Sequence, residues 1–421
     1  MTLLGKSAIL YAPNHPGHLQ RLDIFIENGI ITRIADNIEA EAHIRLEADD
    51  LCVSPGWMDM QVDFSDPGNE YREDLESGTE AAAYGGMTTV ALFPETVPPL
   101  DAKSQIQYIK GKTAHQPVTV LPVGTISKGM EGIALSEMLD MYNAGAVAFG
   151  DGTNGLTNSG LLLKALMYVK SFDGVVMVHP EDPAMAPEGL MNEGVVNTRL
   201  GLAGIPSIAE ETAVAKAISL AEYSGSRLHF TTLSTSGSVE LVREAKKNGV
   251  KITAGVSVFH LNFNESALEE FDTNLKLRPP LRPAKDCEAL RKAVREGVID
   301  VVVSNHQPKI ADRKNCEFAL AATGAIGIQT LFPMVLQAFG TEDLSWLTQL
   351  MSMHPRKVLG LEQPLIEQGA KADLTFFSPS SVWKFNATSN KSKSCNTPLW
   401  ETELKGRALA IANRGQVKYL D

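Results

Sequence analysis

The feature that most limits what this chain can fold into is an eightfold alternation across its middle. Short runs rich in aliphatic and β-branched residues occur at 56–63, 88–93, 118–122, 146–149, 175–179, 228–233, 251–256 and 299–304. Between most of them lie amphipathic runs, at 73–84, 136–143, 159–169, 208–223, 236–247 and 287–296, with apolar residues at i, i+3 and i+4. Strand-length and helix-length patterns in turn imply βαβ units, hence a parallel sheet covered by helices. Eight such units predict a (β/α)₈ barrel of the TIM type, with a doubly wound open sheet as the alternative. No Gly-x-Gly-x-x-Gly follows a strand and no phosphate-loop motif is present, which argues against dinucleotide and nucleoside-triphosphate sites.

The ends differ from the middle. Residues 8–11, 22–27, 30–34 and 43–47 read as strands separated by turns such as Asn28-Gly29. Residues 372–377, 408–412 and 416–419 read the same way, with a turn at Asn413-Arg414-Gly415. These ends predict a small β-sandwich domain built from 1–55 plus 362–421, around a barrel domain over 56–361. The 38 basic against 50 acidic residues argue against nucleic acid as a partner. No run of 18 apolar residues is available to cross a membrane. Cys52, Cys287, Cys316 and Cys395 are scattered, which disfavours a thiolate zinc site and a disulfide framework. The first residues lack a signal-peptide pattern, so the expected location is the cytoplasm.

Barrel chemistry sits at the C-terminal ends of the strands. Those ends read Gln61-Val62-Asp63, Pro94-Glu95-Thr96, Gly150-Asp151, His179-Pro180-Glu181-Asp182, Thr231-Thr232, Ser257 and Asn305-His306. Around them stand longer blocks. Pro55-Gly56-Trp57-Met58-Asp59-Met60-Gln61-Val62-Asp63 is followed by Asp66-Pro67-Gly68 and by a block over 73–90. Gly145-Ala146-Val147-Ala148-Phe149, Leu200-Gly201-Leu202-Ala203-Gly204-Ile205-Pro206, Pro279-Pro280-Leu281-Arg282 and Ser392-Lys393-Ser394-Cys395-Asn396-Thr397-Pro398 come after it. In sequence and order these resemble the blocks of the dihydroorotase branch of the amidohydrolase superfamily. The last block favours dihydroorotases over allantoinases. The resemblance implies a metal-dependent (β/α)₈ barrel with a β-sandwich from both termini.

The departures from that pattern bear on function. The family opens its metal site with His-x-His at the end of the first strand; those positions are Gln61 and Asp63 here. Its strand-6 histidine falls on Thr232, and its strand-8 aspartate, ligand and general base, falls on Asn305. An amide cannot take a proton near neutral pH. Asp151 and His179 match retained ligand positions, while the second acid of the strand-4 pair is Gly152. The substrate positions change too: the carboxylate-binding arginine falls on Ser65, one asparagine on Glu95, another on Arg278, and the last histidine of the strand-8 motif on Lys309. Two retained ligands cannot hold a binuclear centre that activates water.

His179 is then either a core polar group or a lone ligand, and Asp151 either a cap for the following segment or a remnant ligand. Asp59, His260 and His306 read as structural. Glu95 with Arg278, or Asp63 with Lys309, are candidate ion pairs filling the emptied mouth. Met130, Met138, Met141, Met185 and Met191 read as ordinary core or loop residues. The resemblance implies a catalytically silent homologue, with no cofactor, that forms a homodimer and assembles with aspartate carbamoyltransferase. Two alternatives stand beside it: an active cyclic-amide hydrolase with a rearranged single-zinc site, and a barrel that binds another small molecule.

Overall fold

The computed structural model describes residues 1–155 and 157–420. The amino-terminal strands are β1 (Thr2–Leu10), β2 (Arg21–Glu27), β3 (Ile30–Ala35), β4 (Ile44–Leu46) and β5 (Cys52–Pro55). The β2–β3 hairpin turns on Asn28 and Gly29, at φ +50° and +77°, which is why Asn-Gly stands there. The chain then alternates: β6 (Trp57–Val62), α1 (Leu75–Tyr84), β7 (Met87–Leu92), α2 (Lys103–Lys112), β8 (Thr119–Gly124), α3 (Met138–Ala144), β9 (Ala148–Phe149), α4 (Ser159–Val169) and β10 (Val175–Val178). A two-stranded excursion, β11 (Met191–Asn192) and β12 (Gly204–Ile205), flanks α5 (Val195–Leu200). The alternation resumes with α6 (Ile208–Ser224), β13 (Arg227–Phe230), α7 (Ser236–Lys247), β14 (Ile252–Ser257), α8 (Val258–Asn262), α9 (Ala284–Arg295) and β15 (Val301–Val303). Helices α10 (Leu331–Phe339) and α11 (His354–Leu359) precede β16 (Leu374–Phe385), β17 (Thr402–Asn413) and β18 (Gln416–Tyr419).

Strands β6 to β10 and β13 to β15 form one eight-stranded sheet whose neighbours run parallel. Its edges meet: Val62 bridges His306 in parallel, and the Asp63 amide donates to the His306 carbonyl at 2.9 Å. The sheet is therefore a barrel rather than an open doubly wound sheet. Inward residues follow the period of two that a strand dictates: Met58 and Met60, Ala91 and Phe93, Val175 and Met177, Val301 and Val303. Val358 and Leu359 of α11 pack into the same cluster.

The strands from both chain ends form a second eight-stranded sheet, in the order β18-β17-β16-β5-β1-β2-β3 with β4 beside β1. It encloses its own cluster, including Leu3, Ile24, Val53, Leu374 and Ala410. Arg356 ties this layer to the barrel, donating to Gly56 O at 2.7 Å and Asp373 Oδ2 at 2.9 Å. Among the described residues no helix is long and apolar enough to cross a membrane.

Several elements differ from the sequence expectation: helices α5, α8, α10 and α11 and the β11–β12 pair were not expected, and three further differences have a physical reason or bear on the barrel. Helix α2 was not expected; it buries only Ile106 and Ile109, a stripe too narrow to stand out from its polar residues. Strand β16 continues to Phe385 where a strand was expected only over 372–377, because Ser378, Pro379, Ser380 and Ser381 look like a turn but lie at a register shift within the β16–β17 ladder. The fourth barrel strand is only Ala148–Phe149.

Asp59 sits inside the closing seam. It is fully buried, and its carboxylate accepts from the amides of Gln61 at 3.1 Å and Ser304 at 3.3 Å. Burial, only partly offset by those bonds, raises its pKa to about 6. An unfolded aspartate titrates near ~3.9. The native state therefore holds the proton more tightly, so this residue favours folding most below about pH 4 and loses roughly 3 kcal/mol of that contribution as pH rises past 6. Asp59→Asn should remove this part of the pH dependence, measured as urea-unfolding free energies at pH 4.5 and 7.5. An unchanged slope would show that Asp59 carries its charge in the seam at little cost.

Candidate functional site

The C-terminal ends of the barrel strands bring most of the sequence candidates to one face, and most of the polar ones are engaged by partners from the chain itself. Gln61, at the end of β6, donates through Nε2 to Asn305 Oδ1 at 2.8 Å across the seam. The same oxygen accepts from Gln307 Nε2 at 2.9 Å, and Asn305 Nδ2 reaches the Arg278 carbonyl at 3.4 Å. Asn305 holds φ at +49°, a conformation asparagine tolerates better than most residues. Asp63 turns back on its own loop, accepting from the Ser65 amide at 2.6 Å and the Ser65 hydroxyl at 3.2 Å. Lys309 is held through its backbone, whose amide donates to Asn396 Oδ1 at 3.0 Å.

Asp151 corrects one expectation. Instead of capping the segment after it, its carboxylate reaches back to the loop after β8, accepting from the amides of Ile126 at 2.8 Å and Ser127 at 3.0 Å and from the Ser127 hydroxyl. Burial raises its pKa against the pull of these donors. Glu95 is half-buried, and enclosure of its carboxylate raises its pKa too, with neighbouring Asp63 adding to the rise; it accepts from the Thr153 amide at 2.9 Å and from the Thr153 hydroxyl. A Cβ on Gly152 would lie 2.4 Å from Glu95 Cγ. The side chain of Glu95 thus fills the space that a second strand-4 acid would need.

The expected ion pairs are replaced by another. Arg278 pairs with Glu181, its Nε lying 2.9 and 3.0 Å from the two carboxylate oxygens and its terminal nitrogen also engaged. Among the described residues neither Glu95–Arg278 nor Asp63–Lys309 forms an ion pair; Asp63 and Glu95 instead take hydroxyl and amide donors. Burial would raise the Glu181 carboxyl, but Arg278 and then His179 outweigh it and bring it down to about 2. Glu181 was legible only as an acid two residues after a buried histidine. Its partner was not, because Arg278 is 97 residues away in sequence.

His179 is buried, with Nε2 3.5 Å from Glu181 Oε2 and neither ring nitrogen hydrogen-bonded. Gln61 Oε1 and Thr232 Oγ1 are also buried without partners. His306 Nδ1 accepts from the Gly327 amide at 3.2 Å, so in the neutral ring the proton is on Nε2, 3.6 Å from the buried Glu73 carboxylate. His260 donates through Nε2 to the Pro279 carbonyl at 2.9 Å, and burial lowers its pKa to about 4. Both histidines hold backbone in place.

A divalent metal pair needs several unengaged carboxylates and imidazoles converging on one point. Here the Asp151 carboxylate is spent on a loop, Asp63 on Ser65, and Asn305 on two amides. Among the described residues no group of three or more His, Cys, Asp or Glu is placed to hold a metal ion. The residues present do not fit the binuclear centre that the fold implies.

The architecture is that of the amidohydrolase-type barrel with its terminal β-sandwich. Among solved structures, L-hydantoinase from Arthrobacter aurescens aligns with a TM-score of 0.85 over 99% of this chain and 95% of its own, at 22% identity. D-hydantoinase from Thermus sp. aligns at 0.83, covering 100% and 95%, at 20% identity. The dihydroorotase-like family model matches residues 51–238. A dihydroorotase of Geobacter sp. (strain M21) is 39% identical over 100% of this chain and 99% of its own length, and one of Citrifermentans bemidjiense is 39% identical over 100% of both. The chain belongs to the dihydroorotase-like family.

The contact between Glu95 and position 152 makes a direct test. Gly152→Asp should destabilise the protein by about 1–3 kcal/mol, through overpacking and a left-handed φ of +61°. Glu95→Ala in the same chain should recover part of that loss, so the two effects are non-additive. Denaturant unfolding of the four variants measures the coupling; strict additivity would show that the two side chains do not compete for one space.

Proposed function

We propose that this chain is a non-catalytic dihydroorotase-type protein of pyrimidine biosynthesis, a homodimer that serves as an assembly partner of aspartate carbamoyltransferase. The observation that carries the reading is the Gln61–Asn305 bond, which joins two ligand positions to each other instead of to a metal. Hydrolysis of a cyclic amide needs an activated water and a base to take its proton. Asn305 offers an amide where the base belongs. The Arg278 guanidinium is neutralised by Glu181, which leaves it poorly placed to receive an anionic substrate. The full-length likeness to dihydroorotases supports retention of the scaffold, and scaffold without chemistry is what an assembly subunit requires.

Loss of both the metal-activated water and the base should together cost many orders of magnitude, each being worth roughly 10²-fold or more. The purified chain should hold well under one zinc by elemental analysis, and dihydroorotate hydrolysis should stay at the metal-free background, with Asn305→Asp failing to restore it. Near-stoichiometric zinc together with turnover would put an active single-metal amidohydrolase in place of this reading.

The assembly role has its own test. Affinity capture of the chain from its native cell extract should bring down aspartate carbamoyltransferase, and light scattering should give a complex larger than the homodimer. Recovery of the homodimer alone, with carbamoyltransferase activity unaltered by this chain, overturns it.

A further inference from the structure

The opposite end of the barrel holds a hollow that this function does not use. Ile299, in its wall, enters β15 from the end away from Asn305, so the hollow lies under the barrel floor. It has a volume of about 350 Å³, within the range of small-molecule sites. Phe339, Trp346 and Leu350 make an apolar box around it, the two rings meeting edge to face with centroids 5.3 Å apart. Both rings are only half-buried, so the chain leaves aromatic surface uncovered there.

Three polar side chains line it, Gln349, Arg295 and His354. The Arg295 guanidinium lies over the Phe339 ring at 5.6 Å and pairs with no carboxylate among the described residues. The acid next to it in sequence, Glu296, is taken by Arg243 at 2.7 Å and Lys292 at 3.7 Å. His354 Nδ1 is 3.1 Å from the Asp300 carbonyl and so carries the proton, which leaves Nε2 of the neutral ring as an acceptor. A larger charged hollow, lined by Arg227, Lys251 and Lys357 together with Asp173 and Asp300, adjoins at Gly297 and His354.

We propose that this hollow binds a planar aromatic carboxylate, its ring between Trp346, Phe339 and Leu350 and its anionic group on Arg295. A sugar could stack on one ring but would give Arg295 no counter-charge, and a cation would be repelled by Arg295, which no carboxylate among the described residues offsets. A neutral hydrocarbon would use the walls but not the unpaired guanidinium, whose stacked, planar fork suits a carboxylate. Ser352 and Arg356, just beyond the hollow, both donate to Gly56 O at 2.7 Å, and Val358 and Leu359 fill the barrel floor. An occupant would therefore brace the plug of the barrel.

The probe is 2-naphthoate, with neutral 2-naphthamide as its control, titrated into the full-length protein by calorimetry. One naphthoate should bind per chain and raise the melting temperature by mass action. Arg295→Gln, at an exposed position that folding should tolerate, should weaken naphthoate by about tenfold and leave naphthamide unchanged. Absence of saturable binding at millimolar naphthoate overturns the proposal, and so does an Arg295→Gln chain that binds naphthoate as tightly as the wild type.

Discussion

Everything at the candidate site depends on the seam between the first and last barrel strands. Strand β15 has three residues, too few to close a barrel by ladder bonds alone. Closure rests on groups that cross the seam: the Asp59 carboxylate on the Ser304 amide, the Asp63 amide on the His306 carbonyl, and Gln61 on Asn305. The first lies within the barrel wall and the other two at its mouth. By the family resemblance, 61 and 305 are ligand positions, where a shared metal would link the two strands. Here an amide–amide hydrogen bond makes the link between the same two strands.

The blocks that carry the family resemblance turn out to be scaffold when their contacts are followed. Arg282, from Pro279-Pro280-Leu281-Arg282, is buried and donates to Ser234 Oγ at 3.0 Å, Asn192 Oδ1 at 2.8 Å and the carbonyl of Ile205 at 2.9 Å, the last a residue of another block. Glu210 lies 3.8 Å from it and accepts the amides of Ser234 and Thr235. Such a buried cation and anion are tolerable only where further hydrogen bonds accompany the pair, as the three from Arg282 and those to Glu210 do here. The block over 392–398 does similar work at the mouth. Ser392 and Lys393 bond to the Glu73 carboxylate, while Asn396 bonds to the carbonyls of Gln307 and Gly324. It fastens the loop after the first strand to the loop after the last.

The barrel was legible because burial on both faces forces continuous apolar strands and helix-period stripes, which are local patterns. Met58 and Met60 announce β6, while the two-isoleucine stripe of α2 does not rise above its polar background. The site was legible as a set of positions at strand ends, since topology alone puts them there. Its contacts were not legible. Whether Asp151 turns forward or back depends on the loop after β8, and whether Arg278 chooses Glu95 or Glu181 depends on distances between residues remote in sequence. Glycine at 152 hid a similar dependence, because its meaning lies in the volume of Glu95.

The mouth also settles its own electrostatics. Four carboxylates gather near it in a chain of net charge −12, an arrangement that in a metal enzyme would be balanced by divalent cations. Here each is balanced by the chain: Asp151 by two amides and a hydroxyl, Asp63 by Ser65, and Glu181 by Arg278, while Glu95 has Thr153 and a pKa raised by burial that favours its neutral form. A cation entering this mouth would have to take these oxygens from partners already in place, and each release would leave a buried donor unpaired at about 1–3 kcal/mol. The absence of imidazoles at positions 61 and 63 and the pairing of these carboxylates with Arg278, Thr153 and Ser65 belong to one self-neutralised arrangement. Acids neutralised from within in this way resist a metal, because each would first have to give up a partner already in place.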